Sequence, residues 1–377
     1  MPTSSHERLA SIQILRAAAA MGVVFAHLTE SYRAVFNAKD AVWDFYYGNF
    51  GVDLFFVISG FVMVYASEAL FGQPGASWTF LVRRLIRIVP LYWIATSYAL
   101  WGVLNVTGLN LPATTWKSIF GSYFFLPFPF PTGGPLLIVG WTLNYEMFFY
   151  LIFAIAVFFD RIRAVLIATA ALLVCVLIGQ WWSDSLSTFW KSFTNPLMLE
   201  FVMGMWIAAA YRFGTRIPQT LSALLILAAF AMICYLPSWS ADVARAIRWG
   251  GGFSLIVIAV AFAKAPARSL IWKPLVLIGE ASYAIYLTHW FVMMSPPHAF
   301  VSAFEPTAHP ILYSIAIVTA AILVGIIAHL ALEKPITATL WFVARNPFRP
   351  RSREALAHAP GFVRLPSPQP AQGLRSD

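Results

Sequence analysis

Ten apolar stretches, each about 20 residues long and almost free of charge, follow one another through this 377-residue chain with mostly short polar loops between them. They lie at roughly 11–30, 51–68, 82–104, 138–158, 163–182, 196–212, 218–236, 246–263, 274–294 and 310–332. A helix of about 20 residues crosses the ~30 Å hydrocarbon layer once and satisfies its own backbone hydrogen bonds where water cannot. The pattern therefore predicts an all-α, polytopic transmembrane bundle of about ten helices. Composition agrees, since 60% of residues are hydrophobic and 11% charged. Soluble domains carry roughly 25% charge, so an ordinary water-soluble fold is excluded.

Charge then orients the bundle. Of the 25 Lys and Arg residues, 18 fall in the loops and tail on the same side as the N-terminus, six fall on the other side, and Arg16 lies within the first span. The six are Arg33, Lys39, Lys117, Lys191, Arg245 and Arg248. An excess of basic residues marks the cytoplasmic side, so both termini are expected in the cytoplasm and the protein in the inner (plasma) membrane. The net charge of +9 is thus topological and implies no nucleic-acid partner. Cys175 and Cys234 each lie within an apolar run without a partner at metal-ligand spacing, so no metal site is expected.

Residues 1–345 read as one membrane-embedded domain and residues 346–377, rich in Pro, Arg and Ser, as a disordered basic cytoplasmic tail suited to anionic lipid. The stretch 107–135 holds five prolines and the aromatic residues Tyr123, Phe124, Phe125, Phe128 and Phe130. It reads as an external re-entrant or interfacial loop.

Ionisable side chains at membrane depth cost at least ~2.5 kcal/mol each, so they face a cavity or a partner. Arg16 and His27 are 11 residues apart in the first span, which at 100° per residue places them within about 20° of one helix face. Ala20 and Val23 lie between them, where a narrow groove is expected. Arg83, Arg84 and Arg87 open the third span, with Pro90 expected to kink it. Their planar forks suit phosphate, though basic flanks of this kind also arise from topology alone. Asp53 enters the second span from outside, either to orient His27 or to cap its own helix. Thr142, Glu146 and Tyr150 recur at four-residue spacing in the fourth span, and Ser282, Tyr286 and His289 form a polar stripe in the ninth.

Placed by depth, Arg16, Arg83, Arg84 and Arg87 gather toward the cytoplasm, and His27, Asp53, Glu146 and His289 toward the outside. Anion-binding groups on one side and acid/base groups on the other suit an enzyme that takes a phosphorylated donor from the cytoplasm and serves an outer acceptor. Histidine, with a reference pKa near 6.5, is a natural base for a hydroxyl proton.

The motif order is recognisable. The first-span pair Arg16 and His27, the block Gly51 to Phe61, Arg84-Leu85-Ile86-Arg87-Ile88-Val89-Pro90, Trp141-Thr142-Leu143-Asn144-Tyr145-Glu146 and Gly279 to His289 resemble the acyltransferase 3 family of membrane acyltransferases. The Ser-Ile-Gln start and the Trp-Thr-Leu-Asn-Tyr-Glu block look most like its exopolysaccharide-acylating branch. That resemblance implies O-acylation of a carbohydrate hydroxyl, with acetyl-CoA or another acyl-CoA as donor substrate. It also implies that Arg16 and His27 correspond to the family's first-helix pair and that Arg84 and Arg87 correspond to its paired arginines. The extra C-terminal hydrolase-like domain of some members is not expected here.

The resulting expectation is an integral membrane O-acyltransferase acting on an exopolysaccharide or other cell-surface glycan. His27, Glu146 and Asp53 would be catalytic, and Arg16, Arg83, Arg84 and Arg87 would hold the donor. Tyr150, Ser282, Tyr286 and His289 would contact substrate. The expected partners are a carbohydrate acceptor, membrane lipid and other polysaccharide-biosynthesis proteins. Two rivals stand beside it: a transporter or flippase for a polysaccharide or lipid-linked sugar, and a silent scaffold subunit of a polysaccharide synthase. A transporter predicts internal repeats, and the sequence displays none.

Overall fold

The computed structural model describes residues 5–36, 50–108, 111–129, 133–182, 184–214, 216–235, 242–263, 272–304 and 309–345. The expected tail at 346–377 lies outside the described residues. Every one of the ten apolar stretches falls on helix. In chain order the helices are α1 (Ser5–Phe36), α2 (Phe50–Ala66), α3 (Ala76–Thr107), α4 (Ala113–Tyr123), α5 (Trp141–Ala156), α6 (Arg161–Trp181), α7 (Thr188–Phe193) and α8 (Met198–Tyr211). They continue as α9 (Gln219–Tyr235), α10 (Asp242–Arg245), α11 (Gly251–Phe262), α12 (Trp272–Glu280), α13 (Ser282–Met294), α14 (His298–Phe304), α15 (Pro310–Ala328) and α16 (Lys334–Arg345). Short π-helical turns at Ala246–Gly250 and His329–Glu333 lead into α11 and α16. The fold is an all-helical membrane bundle.

The count of ten spans is not met by length and apolarity. Among the described residues six helices are long and apolar enough to cross a membrane, or seven if α12 and α13, bent by 75° at their junction, form one broken span. The helices α2 and α9 are apolar but shorter. The 32-residue α3 falls outside the set, its uncharged part after Arg87 being diluted by Pro90, Tyr92, Trp93, Tyr98 and Trp101. Pro90 does not break it, and the backbone carbonyl of Ile88 accepts a hydrogen bond from Tyr283 Oη at 2.7 Å.

Surface and interior follow the membrane logic. Large apolar side chains such as Val174 and Leu177 on α6, Leu224 and Leu227 on α9, and Ile315 and Ile327 on α15 are exposed. A water-soluble monomer rarely displays so much apolar surface, whereas lipid accepts it. The interior is aromatic, with Phe149 stacked on Phe201 at 4.5 Å, and tilted pairs of Phe56 with Phe201 at 4.7 Å and Phe80 with Phe153 at 5.1 Å. Between α2 and α8 the backbones touch, because Gly60 faces the Phe201 carbonyl and Gly204 faces that of Val57. Small residues permit such approach where no hydrophobic effect drives helices together.

Ion pairs and hydrogen bonds confirm which loops share an end of the bundle. Glu68, after α2, binds Arg161 at 3.1 Å and Arg212 at 3.4 Å, joining three loops expected to be cytoplasmic. At the opposite end, Ser31 near the exit of α1 donates to the carbonyl of Met293 in α13 at 2.5 Å.

The stretch 107–135 is more structured than expected. It contains α4, and Phe125 stacks on Tyr92 at 4.6 Å while Phe128 stacks on Phe189 at 5.3 Å. Those rings pack against neighbouring helices, and Phe120 and Phe124 remain exposed. Phe130 lies outside the described residues.

Candidate active site

A cavity of about 330 Å³ lies among α1, α2, α3, α5 and α13. One end is built by arginine. Arg16 from α1 and Arg84 and Arg87 from α3 line it, whereas Arg83 does not. By helical spacing Arg84 lies about 60° and Arg83 only about 40° from Arg87, so spacing alone does not separate the two, and it is the packing of the bundle that leaves Arg83 outside the lining. Arg16 Nη1 donates to Gln13 Oε1 at 3.3 Å. The Arg84 guanidinium stands 5.5 Å from the centre of the Phe80 ring, and its Nε is buried without a hydrogen-bond partner among the described residues. Gln13 is held in place by close backbone packing, since its carbonyl occupies the space where a Cβ on Gly279 would sit.

Glu146 belongs with these arginines. It lines the same cavity, accepts a hydrogen bond from Ser59 Oγ at 3.0 Å and a short one from Tyr150 Oη, and acts electrostatically on Arg16. The expectation that Glu146 sits with His27 is therefore corrected. Counting depth from the helix end places a residue along one axis and leaves out which neighbours the bundle brings to it. Three guanidiniums against one lining carboxylate leave the cavity net positive, which suits an anion.

The rest of the cavity is mostly apolar, with Phe55, Phe56, Ile58, Val62 and Leu143 among its walls. Tyr150, Ser282 and Tyr286 also line it. At the end away from the arginines, Tyr286 Oη donates to the carbonyl of Val139 at 2.5 Å, which leaves the Thr142 hydroxyl to donate to Tyr286 at 2.7 Å. The Phe55 ring stands edge-on to Tyr286, with centroids 6.1 Å apart.

Beyond Tyr286 lies a histidine pair. His289 is fully buried and its ring centroid is 6.1 Å from that of Tyr286. Its Nε2 is 3.2 Å from His27 Nδ1. His27 Nδ1 also approaches the Val23 carbonyl at 3.0 Å, and Nε2 faces Glu30 Oε2 at 3.8 Å. The His27 side chain is 18% exposed, so solvent or an acceptor reaches it. Neither histidine lines the cavity: His289, expected on the substrate wall, stands buried behind His27, and His27 lies beyond Tyr286 as well. The groove expected along Ala20 and Val23 is also absent, because both side chains are packed in the core. The cavity runs past α2 and α13 instead.

Asp53 makes neither expected interaction with His27 nor any place in the cavity. It is fully buried, and Arg245 binds it through both carboxylate oxygens, with Nε to Oδ1 at 3.1 Å and Nη2 to Oδ2 at 3.0 Å. Glu200, also fully buried, sits beside the pair. Sequence reasoning missed Glu200 and Glu30, and gave Ser59 no role. The available signals were a glutamate inside an apolar run and a glutamate one turn after His27.

The profile of the acyltransferase domain matches residues 9–330, nearly the whole described bundle. The chain belongs to the acyltransferase 3 family. It is 33% identical to the exopolysaccharide production protein ExoZ of Rhizobium meliloti over 297 residues, 77% of this chain and 89% of that one. It is 26% identical to the acyltransferase MdmB of Streptomyces mycarofaciens, over 84% of this chain and 87% of MdmB. A Bacillus subtilis protein provisionally named peptidoglycan O-acetyltransferase, YrhL, is 25% identical over 94% of this chain and 58% of its own length. No solved structure matches. The protein is thus a membrane acyltransferase, and the five sequence blocks that resemble this family sit on α1, α2, α3, α5 and α12 with α13, the helices around the cavity.

Proposed function

We propose that this acyltransferase moves an acetyl or other short acyl group from acyl-CoA onto a hydroxyl of a cell-surface carbohydrate. The observation that carries the reading is a cavity with arginine at one end and Tyr286 at the other, beyond which, outside the lining, stand His289 and His27. Arg16, Arg84 and Arg87 bind donor phosphates, and Glu146 with Ser59 and Tyr150 balances and orders that end. The volume is at the low end of the ~300–1,000 Å³ typical of ligand pockets, which suits the thioester arm more than the whole nucleotide. The names of two relatives, one in exopolysaccharide production and one acting on peptidoglycan, support a carbohydrate acceptor. The basic-residue bias supports the inner membrane, with the arginines toward the cytoplasm.

In the reaction, the acceptor hydroxyl lies against His27 Nε2. His27 takes its proton as the oxygen attacks the thioester carbonyl. A carbon–oxygen bond forms, the carbon–sulfur bond breaks, and the departing thiolate takes up the proton that His27 removed, leaving as CoA thiol with His27 neutral again. Glu30, facing Nε2, favours the imidazolium that His27 briefly becomes.

The experiment compares polysaccharide from cells carrying wild type and His27→Ala by proton NMR. Positioned acid/base groups contribute about 10²- to 10⁴-fold, so the O-acyl signals vanish in the variant. Retained signals would contradict the assignment of His27.

A further inference from the structure

The two histidines are joined in a way that decides which nitrogen of His27 is free. His289 Nδ1 lies 3.0 Å from the carbonyl oxygen of Ile285, and His27 Nδ1 lies 3.0 Å from that of Val23. A carbonyl only accepts, so both Nδ1 atoms carry hydrogen. With its proton on Nδ1, neutral His289 presents a lone pair at Nε2. That lone pair is 3.2 Å from His27 Nδ1, whose N–H is therefore shared between Val23 and His289. His27 Nε2 is left unprotonated on the side where Glu30 stands.

We infer that His289 is a positioning residue that holds His27 in the tautomer and ring orientation whose Nε2 can take a proton. The inference rests on the proposed role of His27 as base. His289 is fully buried whereas the His27 side chain is 18% exposed, so of the two only His27 is open to an acceptor. Its ring fits the role through its surroundings. Tyr286, whose own hydroxyl is committed to Val139 and Thr142, packs against one side, and the Ile285 carbonyl fixes its Nδ1. Trp290 completes the enclosure of His27, its ring edge-on at 5.2 Å and 89°. The ring nitrogen that a histidine offers is set by the bond its other nitrogen makes, and here that bond comes from 262 residues away.

The test uses full-length protein in detergent-permeabilised membrane vesicles, open to both faces, with acetyl-CoA as donor and polysaccharide purified from cells lacking this protein as acceptor. His289→Leu keeps apolar bulk and removes the hydrogen-bond acceptor. Its kcat falls at least about tenfold, as expected when a base loses the group that orients it, while both KM values stay within about threefold. His289→Gln offers an amide oxygen to the His27 N–H and recovers most of kcat. If His289→Leu does not reach the membrane folded, His289→Asn, whose amide is one methylene shorter, takes its place in the contrast with Gln.

A kcat in the Leu variant equal to wild type overturns the inference. So does an equal loss in Leu and Gln, or a loss carried by KM. His27→Ala run alongside separates the two levels: an active His27→Ala variant overturns the base assignment itself, whereas an inactive one with full activity in His289→Leu overturns only the role of His289.

Discussion

Glu146 and Asp53 are both carboxylates set in apolar helices, and their surroundings are opposite. Glu146 faces open space, holds two hydroxyl groups and shares its cavity with three arginines. Asp53 faces none, because Arg245 closes on both of its oxygens and the neighbouring Glu200 is fully buried. The difference teaches that a charge inside a membrane helix marks a site only where it has room beside it. A carboxylate sealed by a guanidinium ties helices together, here α2 to α10 and the turn of π-helix that follows it.

The contrast breaks most visibly at the sealed pair. Arg245→Ala leaves the buried Asp53 without its cation, and because the Arg245 side chain is 37% exposed and water can take part of its place, the cost is about 1.5–3 kcal/mol. Thermal unfolding in detergent should show a lower midpoint and the membrane yield should drop, yet the folded fraction should turn over at the wild-type rate. A variant as stable as wild type but inactive would move Asp53 back into the site.

On the cavity side the expected effects are kinetic. Arg84→Ala removes charge-assisted hydrogen bonds worth about 1.5–3 kcal/mol, so KM for acetyl-CoA should rise roughly 10- to 100-fold at unchanged stability. Arg83→Ala, one residue away and outside the lining, should change KM by less than about threefold. Equal effects of the two would replace a shaped anion site with a general basic flank. Glu146→Gln keeps shape and one acceptor oxygen, and should shift donor KM by about fivefold or less, near 1 kcal/mol. A large loss of kcat instead would return Glu146 to the acid/base machinery.

Much of this arrangement was legible in the sequence. Helices announce themselves by apolar length, and the basic bias gives a side to each loop, which the pairing of Glu68 with Arg161 and Arg212 respects. Residues on one helix face also read correctly: Thr142, Glu146 and Tyr150 all line the cavity, as do Arg84 and Arg87. What the sequence left open was contact between helices. Asp53 and Arg245 are 192 positions apart and His27 and His289 are 262 apart. Depth along an axis says which residues lie level with one another, and it does not say which are neighbours. For that reason depth alone groups Glu146 with His27 and offers Asp53 an imidazole or its own helix end, where it has a guanidinium.

The central claim is that the donor enters at the arginine end and the acyl group leaves near His27. Sealed vesicles of both orientations, supplied from outside with radiolabelled acetyl-CoA and tested for label in glycan, examine it most directly. The account predicts labelling in inverted vesicles, where the cytoplasmic face meets the donor, and none in right-side-out vesicles. Equal labelling in both, or labelling only in the right-side-out preparation, would contradict it.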